Sequence, residues 1–531
     1  MIFGVRQLAA AFSIAFSVSF AGPLPDARAA DSTADLVRKG HARLSEWDLP
    51  EAQAILDAIR KGNAGDPNVQ FLEAVVEFHK GNHAEAKRHI DALSMGAGGG
   101  GGAADLIRAS AGATEGYVEE KSAGGHFRIR YPPGPSAILA PLALEALEKS
   151  RAAVGAALDY LPPEEITVEV LKDGAALAAM TGLSESEIEA TGTIAVCKYN
   201  RIMFISPEAL ATGYPWLDTL GHEYTHYVTG RKTADGVEVW LHEVMSKMHE
   251  SAWRGRAAAL RPDHEGIIAQ ALREGKLVTF ARMSPSMAKL PDQHAASLAF
   301  AEVFSAGVFF SEKGGPGVFA RMLSAVAAGG GMPGAIRAAG FSSMDDFEAQ
   351  WRVWLKGRYA GKALVERQFY RAKFKKGKTG RPDAQEDAGG PSARTFLRLG
   401  DLLLARGHHA AAAEEFGKAA RASERGTQNP VIQNRLAVAL LQSGKPAEAA
   451  AALDGVKDTF PDYISTHMNL ARIHMRSDKP ELAEAALRSA AEINPFDPEI
   501  WGGLAAIYKT KGDRKAYEQA AKNLKLLKGN D

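Results

Sequence analysis

The sequence predicts a mixed α+β domain flanked on both sides by all-α helical hairpins, and three observations lead there. Small and turn-forming residues recur at a fixed spacing in the C-terminal third of the 531-residue chain. Strand-like runs precede helical ones in the middle. Stretches rich in glycine or in mixed charge, at 96–120 and 373–393, read as linkers between these parts.

The spacing is 34 residues: Ala437, Ala471 and Ala505 in the first helix of each unit, and Gly444, Asp478 and Gly512 at the turns. Leu436, Leu470 and Leu504 precede the small residue, Ala449 and Ala483 take the close-packed position of the second helix, and Pro461 and Pro495 end units. An earlier unit fits around Leu399, Gly400, Gly407, Ala412 and Phe416 after a three-residue insertion. Small residues let paired helices approach and large ones fill the groove between units. The pattern resembles the tetratricopeptide repeat over residues 394–528, which implies a protein partner. The same period links Gly40 with Ala74 and Ala52 with Ala86. Residues 30–95 therefore read as two degenerate helical hairpins, or else as an ordinary helical packing subdomain.

Residues 1–29 read as a secretory signal. Arg6 precedes an apolar run from Leu8 to Ala21, too short to span a bilayer, and Ala27-Arg28-Ala29 is a small-x-small cleavage site. The expected mature chain starts near Ala30 or Asp31 and is exported, to the periplasm or the exterior. No later segment is expected to cross a membrane. Lys+Arg and Asp+Glu are both 63, so no bulk charge points to nucleic acid. Cys197, the single cysteine, excludes an internal disulfide and sits in an apolar run that reads as buried.

In the middle, His126–Tyr131 and Ile166–Val170 read as strands, and Thr193–Val196 with Arg201–Ser206 as a hairpin turning at Lys198–Asn200. A helical run follows that contains His222-Glu223-Tyr224-Thr225-His226. Positions four apart share a helix face, so His222 and His226 can converge on one ion, with Glu223 beside them to work on a metal-held water. A structural zinc site would use four Cys or His ligands and no open position; one cysteine does not supply it. A third ligand is needed, and the next helix offers Glu243 and His242.

Here the chain resembles the gluzincin metallopeptidases, the thermolysin-like group, over about residues 124–360. In that group a Trp-Leu-x-Glu-Gly helix carries the third ligand, and Trp240, Leu241 and Glu243 match it. Ala190–Lys198 and Ile205-Ser206-Pro207 resemble a branch that also carries tetratricopeptide repeats. The resemblance implies a zincin-like domain over 121–372 and one Zn²⁺ held by His222, His226 and Glu243. It also implies Glu223 as general base, and a peptide or protein substrate lying along a strand edge. The chain departs from the pattern at Val244, Met248, Phe300 and Phe304, and the last two remove hydroxyls that would serve an oxyanion. Tyr224 and Tyr227 fall off the metal-facing side and read as packing residues. A catalytically inactive peptidase-like scaffold is the alternative.

Overall fold

The computed structural model describes residues 32–93, 101–256, 258–284, 287, 290–291, 293–362, 389–423 and 429–529. Residues 1–31, which include the segment read as a secretory signal, residues 94–100, and residues 363–388, which include most of the linker expected at 373–393, lie outside them. The described chain forms two units. One takes the chain up to Ile205 with Leu217–Leu260 and His264–Leu364; the other takes Ser206–Trp216, Arg261–Asp263 and the chain from Val365 onward.

The first unit opens with two helical hairpins: α1 (Thr33–Ser45), α2 (Leu49–Asn63), α3 (Pro67–His79) and α4 (His83–Ala92). Ser32, Asp48 and Asp66 cap the first three helices with their side chains, as the short polar residues before each helical run lead one to expect. Ala52, Ala74 and Ala86 are fully buried. The segment 96–120, read above as a linker, holds a helix, α5 (Gly101–Ala113), and a strand, β1 (Val118–Lys121). The glycine run ends at Gly102, and beyond it Ala103, Ala104 and Ile107 form one buried helix face.

Four more strands follow: β2 (Phe127–Tyr131), β3 (Ile166–Leu171), β4 (Ala195–Lys198) and β5 (Arg201–Ile205). The sheet order is β1-β2-β3-β5-β4, with β2–β3 and β3–β5 parallel and the two outer pairs antiparallel. Helices α6 (Leu139–Leu158), α7 (Gly174–Thr181) and α8 (Glu185–Thr191) lie between the strands in sequence. The strands-first order expected from sequence is thus corrected, because parallel neighbours require a crossover. The β4–β5 turn is made by Tyr199 and Asn200 at φ 55° and 56°, the left-handed pair that a two-residue hairpin loop demands.

Register divides the strand residues between two faces. Phe127, Ile129, Val168 and Ile202 share an apolar face; Arg128, Arg130, Thr167, Glu169 and Arg201 share the other. That second face is buried by the end of α3. Arg201 donates to Phe78 O, Arg128 to Lys80 O and Arg130 to Gly81 O, while Thr167 donates to Lys80 O at 2.9 Å. Phe78 O belongs to the last turn of α3 and Lys80 O and Gly81 O lie just past it, where a helix leaves carbonyls to be satisfied from outside and its dipole favours cations. Gly81, at φ +80°, allows the approach: a Cβ there would lie 2.8 Å from Thr167 Cγ2. Glu169, fully buried, binds this layer together, 2.7 Å from His83 Nε2, 3.0 Å from Arg130 and 3.4 Å from Arg201.

The apolar face carries α9 (Trp216–Thr233), whose Tyr224 meets Phe127 edge-on at 5.5 Å. Next come α10 (Val239–His249), α11 (Pro262–Glu274), α12 (Phe280–Met283), α13 (Gln293–Gly314), α14 (Val318–Ala325), α15 (Gly331–Ala338) and α16 (Met344–Tyr359). Trp240 anchors α10 among Phe280, Phe310 and Phe347, at ring distances of 4.7, 6.4 and 6.0 Å. Within α13, His294–Gly314 is long and apolar enough to cross a membrane, which corrects the expectation that no later segment is. Its most apolar window is 78% buried inside the protein, so that surface serves as core for α10 and α16.

The second unit is built from four hairpins: α17 (Pro391–Ala405) with α18 (His409–Ala422), α19 (Pro430–Gln442) with α20 (Pro446–Thr459), α21 (Ile464–Arg476) with α22 (Pro480–Ala491), and α23 (Pro498–Lys511) with α24 (Arg514–Lys528). The recurring turn residues Gly407, Gly444, Asp478 and Gly512 share a left-handed backbone at φ 78°, 79°, 54° and 72°.

Glu169 is held ionised, down to about 2: burial works against this, but His83, Arg201 and Arg130 outweigh it. Burial pushes the His83 imidazole below its ordinary range, against the pull of Glu169. Both folded values lie below the unfolded ones, so both stabilise fully above about pH 6.5 and lose that stabilisation as pH falls toward 2. Glu169→Gln leaves Arg130 and Arg201 without their counter-charge. It is expected to cost about 3–5 kcal/mol in urea unfolding at pH 7, and much less of a difference from wild type should remain near pH 2.

Candidate metal centre

Helix α9 carries His222, Glu223 and His226, and α10 carries Glu243; each is buried. One turn of helix brings the imidazoles of His222 and His226 to a ring separation of 4.7 Å, with their Nε2 atoms 3.1 Å apart. Glu243 closes the set, Oε2 lying 3.3 Å from His222 Nε2 and Oε1 3.7 Å from His226 Nε2. The three ligand atoms lie within 4.8 Å of one another, and this buried triad could hold a metal ion. His242, the other ligand considered from sequence, is not part of the triad: its ring lies 5.6 Å from that of His226, and Nε2 is 3.4 Å from Asp235.

The surroundings fit a cation. Glu223 is completely buried, and among the described residues no side chain hydrogen-bonds to either of its oxygens; the group that approaches it is the Cys197 backbone N–H. A buried carboxylate so sparsely bonded costs several kcal/mol unless positive charge or a proton comes to it. Burial raises the Glu223 carboxyl to about 8; His222 pulls down, Glu243 pushes up, and the Cys197 backbone N–H pulls down. Burial acts to lower His222, yet Glu243, Glu250 and Glu223 together lift it to about 9. The negative charge that fixes a proton on His222 would equally fix a divalent ion between the ligand atoms, with release of that proton.

Two helices must approach closely for this. At Gly221, beside the first histidine, a Cβ would sit 2.4 Å from the Glu250 carbonyl oxygen at the end of α10. The chain thus uses a helical glycine where α9 meets α10, at a cost in helix propensity. Gly221→Ala forces the helices apart. We expect a loss of about 1–3 kcal/mol in denaturant unfolding together with weakened metal retention on dialysis.

Sequence reasoning missed three contributors. Glu250 approaches His222 Nδ1 at 3.3 Å and is itself clamped by Lys247 Nζ at 2.6 and 2.8 Å. Burial works to raise Glu250, but Lys247 and His222 hold it down to about 2. The signal was in the sequence: Glu243, Lys247 and Glu250 recur four and then three apart on one face of α10. Asp235 has no such signature; it stands in a left-handed turn with Ala234. Cys197, read as a buried small residue, is instead partly exposed on β4, the sheet's edge strand. Burial pushes its thiol up, and the fields of Glu223 and Asp235 push further. Tyr224 and Tyr227 do pack, the latter donating to Glu164 at 2.8 Å. Glu250→Gln keeps the shape of the contact and removes its charge. It is expected to lower zinc affinity by about 10–100-fold, measured by competition with a chromophoric chelator.

Comparison with known proteins bears on part of the second unit. Tetratricopeptide repeat models match residues 397–464 and 440–507. Residues 397–507 are tetratricopeptide repeats. No curated protein matches the chain. Among solved structures, similarity is found to yeast LTA4 hydrolase in complex with bestatin, at 12% identity over 77% of this chain and 67% of that one, with a TM-score of 0.28. It is also found to the APC/C hetero-tetramer Cut9–Hcn1, at 15% identity over 94% and 80% with a TM-score of 0.26, and to yeast Tom70, at 11% identity over 91% and 90% with a TM-score of 0.22. At these scores none establishes a shared fold for the chain as a whole. The repeats fit a protein-interaction surface.

Proposed function

We propose that this protein is an exported zinc-dependent peptidase whose repeats recruit its protein substrate or a partner. The observation that carries the reading is the pairing of a buried His222–His226–Glu243 triad with a buried Glu223, bonded by no other side chain among the described residues, next to the first of them. When bound, Zn²⁺ supplies Lewis acidity and a water acidified to a pKa near 7. The His₂Glu donor set is the one such catalytic sites use.

The protein's own part follows from placement. His222 and His226 are held by one helix turn, and Glu250 orients the first through Nδ1. Burial raises the Glu223 carboxyl to about 8, so without a cation it is mostly protonated near neutral pH; a divalent ion beside it would favour the carboxylate, which can take a proton from water and return it to a departing amine. Among the described residues β4 is an outer strand of the sheet, the kind of place where an extended peptide can add through main-chain hydrogen bonds. Burial of the triad keeps bulk water from competing with these contacts.

The test is direct. Purified protein from Asp31 onward is expected to hold one zinc per chain by elemental analysis and to cleave casein. Glu223→Gln should retain the zinc and reduce cleavage by at least about 10²-fold. Full zinc occupancy without cleavage of a broad peptide library would support the inactive scaffold instead. Absence of zinc binding would remove both readings of this site.

A further inference from the structure

Three imidazoles line the seam where the hairpins α1–α4 cover the polar face of the sheet. His41 comes from α1, His79 ends α3 and His83 opens α4. His79 and His83 are 7% and 1% exposed, and His41 holds its ring 5.9 Å from that of Phe71 on α3. Asn200, on the β4–β5 turn, places its amide Nδ2 2.7 Å from His79 Nδ1 and 3.4 Å from the Leu44 carbonyl oxygen. That amide can donate to His79 only while the imidazole is neutral, because an imidazolium has no lone pair to accept with. The ring of Tyr199 lies 5.7 Å from that of His79. The charged groups facing this seam are mostly positive. They are Arg128 and Arg130 on β2, Lys198 and Arg201 on the β4–β5 hairpin, and Lys80 just past α3, against Glu169 on β3 and Glu77 on α3. Glu119 and Glu165 reach Arg128 from more exposed positions, each at 3.5 Å, and His89 on α4 turns to Glu73 and Glu85 instead.

Protons added here set like charges against one another. Burial holds His41 down to about 4, and burial, with Arg201 and His41 beside it, keeps His79 well below the ordinary imidazole range. Both folded values lie below the unfolded one, so the stabilisation is complete above about pH 6.5 and is lost as pH falls toward 4. Lys198, held down to about 7 by burial, takes up its proton at the upper edge of that window. Glu169, 2.7 Å from His83 Nε2, offsets part of the same effect at His83. The hairpins are seated on α9 as well. Trp47 packs edge-on against Tyr227 at 5.5 Å, a Cβ on Gly230 would lie 3.2 Å from the Trp47 ring, and Asp48 pairs with Arg231 at 2.9 Å. We propose that the hairpins α1–α4 form an acid-released cover: imidazolium formation at His41 and His79 drives them off the polar face of the sheet and frees the α9 surface that carries Tyr227, Gly230 and Arg231. The inference stands apart from the peptidase reading, since neither titrating group belongs to the metal centre.

Amide hydrogen exchange of the full mature chain, followed by mass spectrometry and corrected for the intrinsic pH dependence of exchange, reads opening segment by segment. Between pH 7.5 and pH 4.5 the opening of α1–α4 in wild type is expected to rise at least about 10²-fold, while that of the buried amides in α13 rises less than about 10-fold. The stretch of α9 from Tyr227 to Lys232 should follow the hairpins, and return to pH 7.5 should restore protection. A double variant, His41→Gln with His79→Gln, places side chains there that cannot charge, and its hairpin opening should rise less than about 10-fold over the same interval. If the double variant does not fold at pH 7.5, His41→Gln alone serves, with an expected rise at least about 10-fold smaller than that of wild type. Hairpins that keep their protection at pH 4.5, or that lose it equally in wild type and variant, would overturn the proposal. Exchange in wild-type α13 that rises together with the hairpins would overturn it too, since acid would then unfold the whole unit rather than release its cover.

Discussion

Three carboxylates, those of Glu223, Glu243 and Glu250, crowd around one buried imidazole, that of His222. Unbalanced negative charge in such surroundings is expensive, and the local structure can be understood as what makes it tolerable. Lys247 compensates Glu250 on one side. On the other side the compensation must arrive as a proton or a cation between His222, His226 and Glu243. A charge arrangement of this kind favours a proton or a cation between these groups.

Everything around it serves to hold two helices at the needed distance. The sheet supports α9 through Phe127 and Tyr224, while the aromatic cluster at Trp240 fixes α10. Gly221 removes the one side-chain carbon that would keep them apart. The N-terminal hairpins act from the opposite face of the sheet. They convert a row of arginines into caps for the end of α3, so a strand face that looks soluble in the sequence is instead buried. They also reach α9 directly, where Trp47 packs edge-on against Tyr227 at 5.5 Å and Asp48 pairs with Arg231 at 2.9 Å. The hairpins are a structural layer of the first unit, bearing on the helix that carries His222 and His226.

The second unit follows different physics. Its hairpins repeat one packing solution, with small residues where helices cross and left-handed residues where they turn, so each hairpin is stabilised chiefly by its neighbours. That regularity is why the repeats can be recognised by comparison over 397–507.

The sequence by itself determined whatever depends on periodicity. Helix spacing put His222 and His226 on one face, the 34-residue period marked the repeats down to the turn at Asp478, and alternation marked β2, β3 and β5. Local composition misled where tertiary contacts set the outcome. A glycine-rich start hid α5, the apolar run in α13 is a core helix long enough to span a membrane, and Cys197 lies at the edge of the sheet. Only the tertiary structure decided that Glu243 rather than His242 meets the two imidazoles, that Glu250 orients one of them, and that Asp235 stands beside His242. The physical reason is that side-chain direction along one helix is fixed by 3.6 residues per turn, whereas the approach of two helices depends on packing spread over the whole unit.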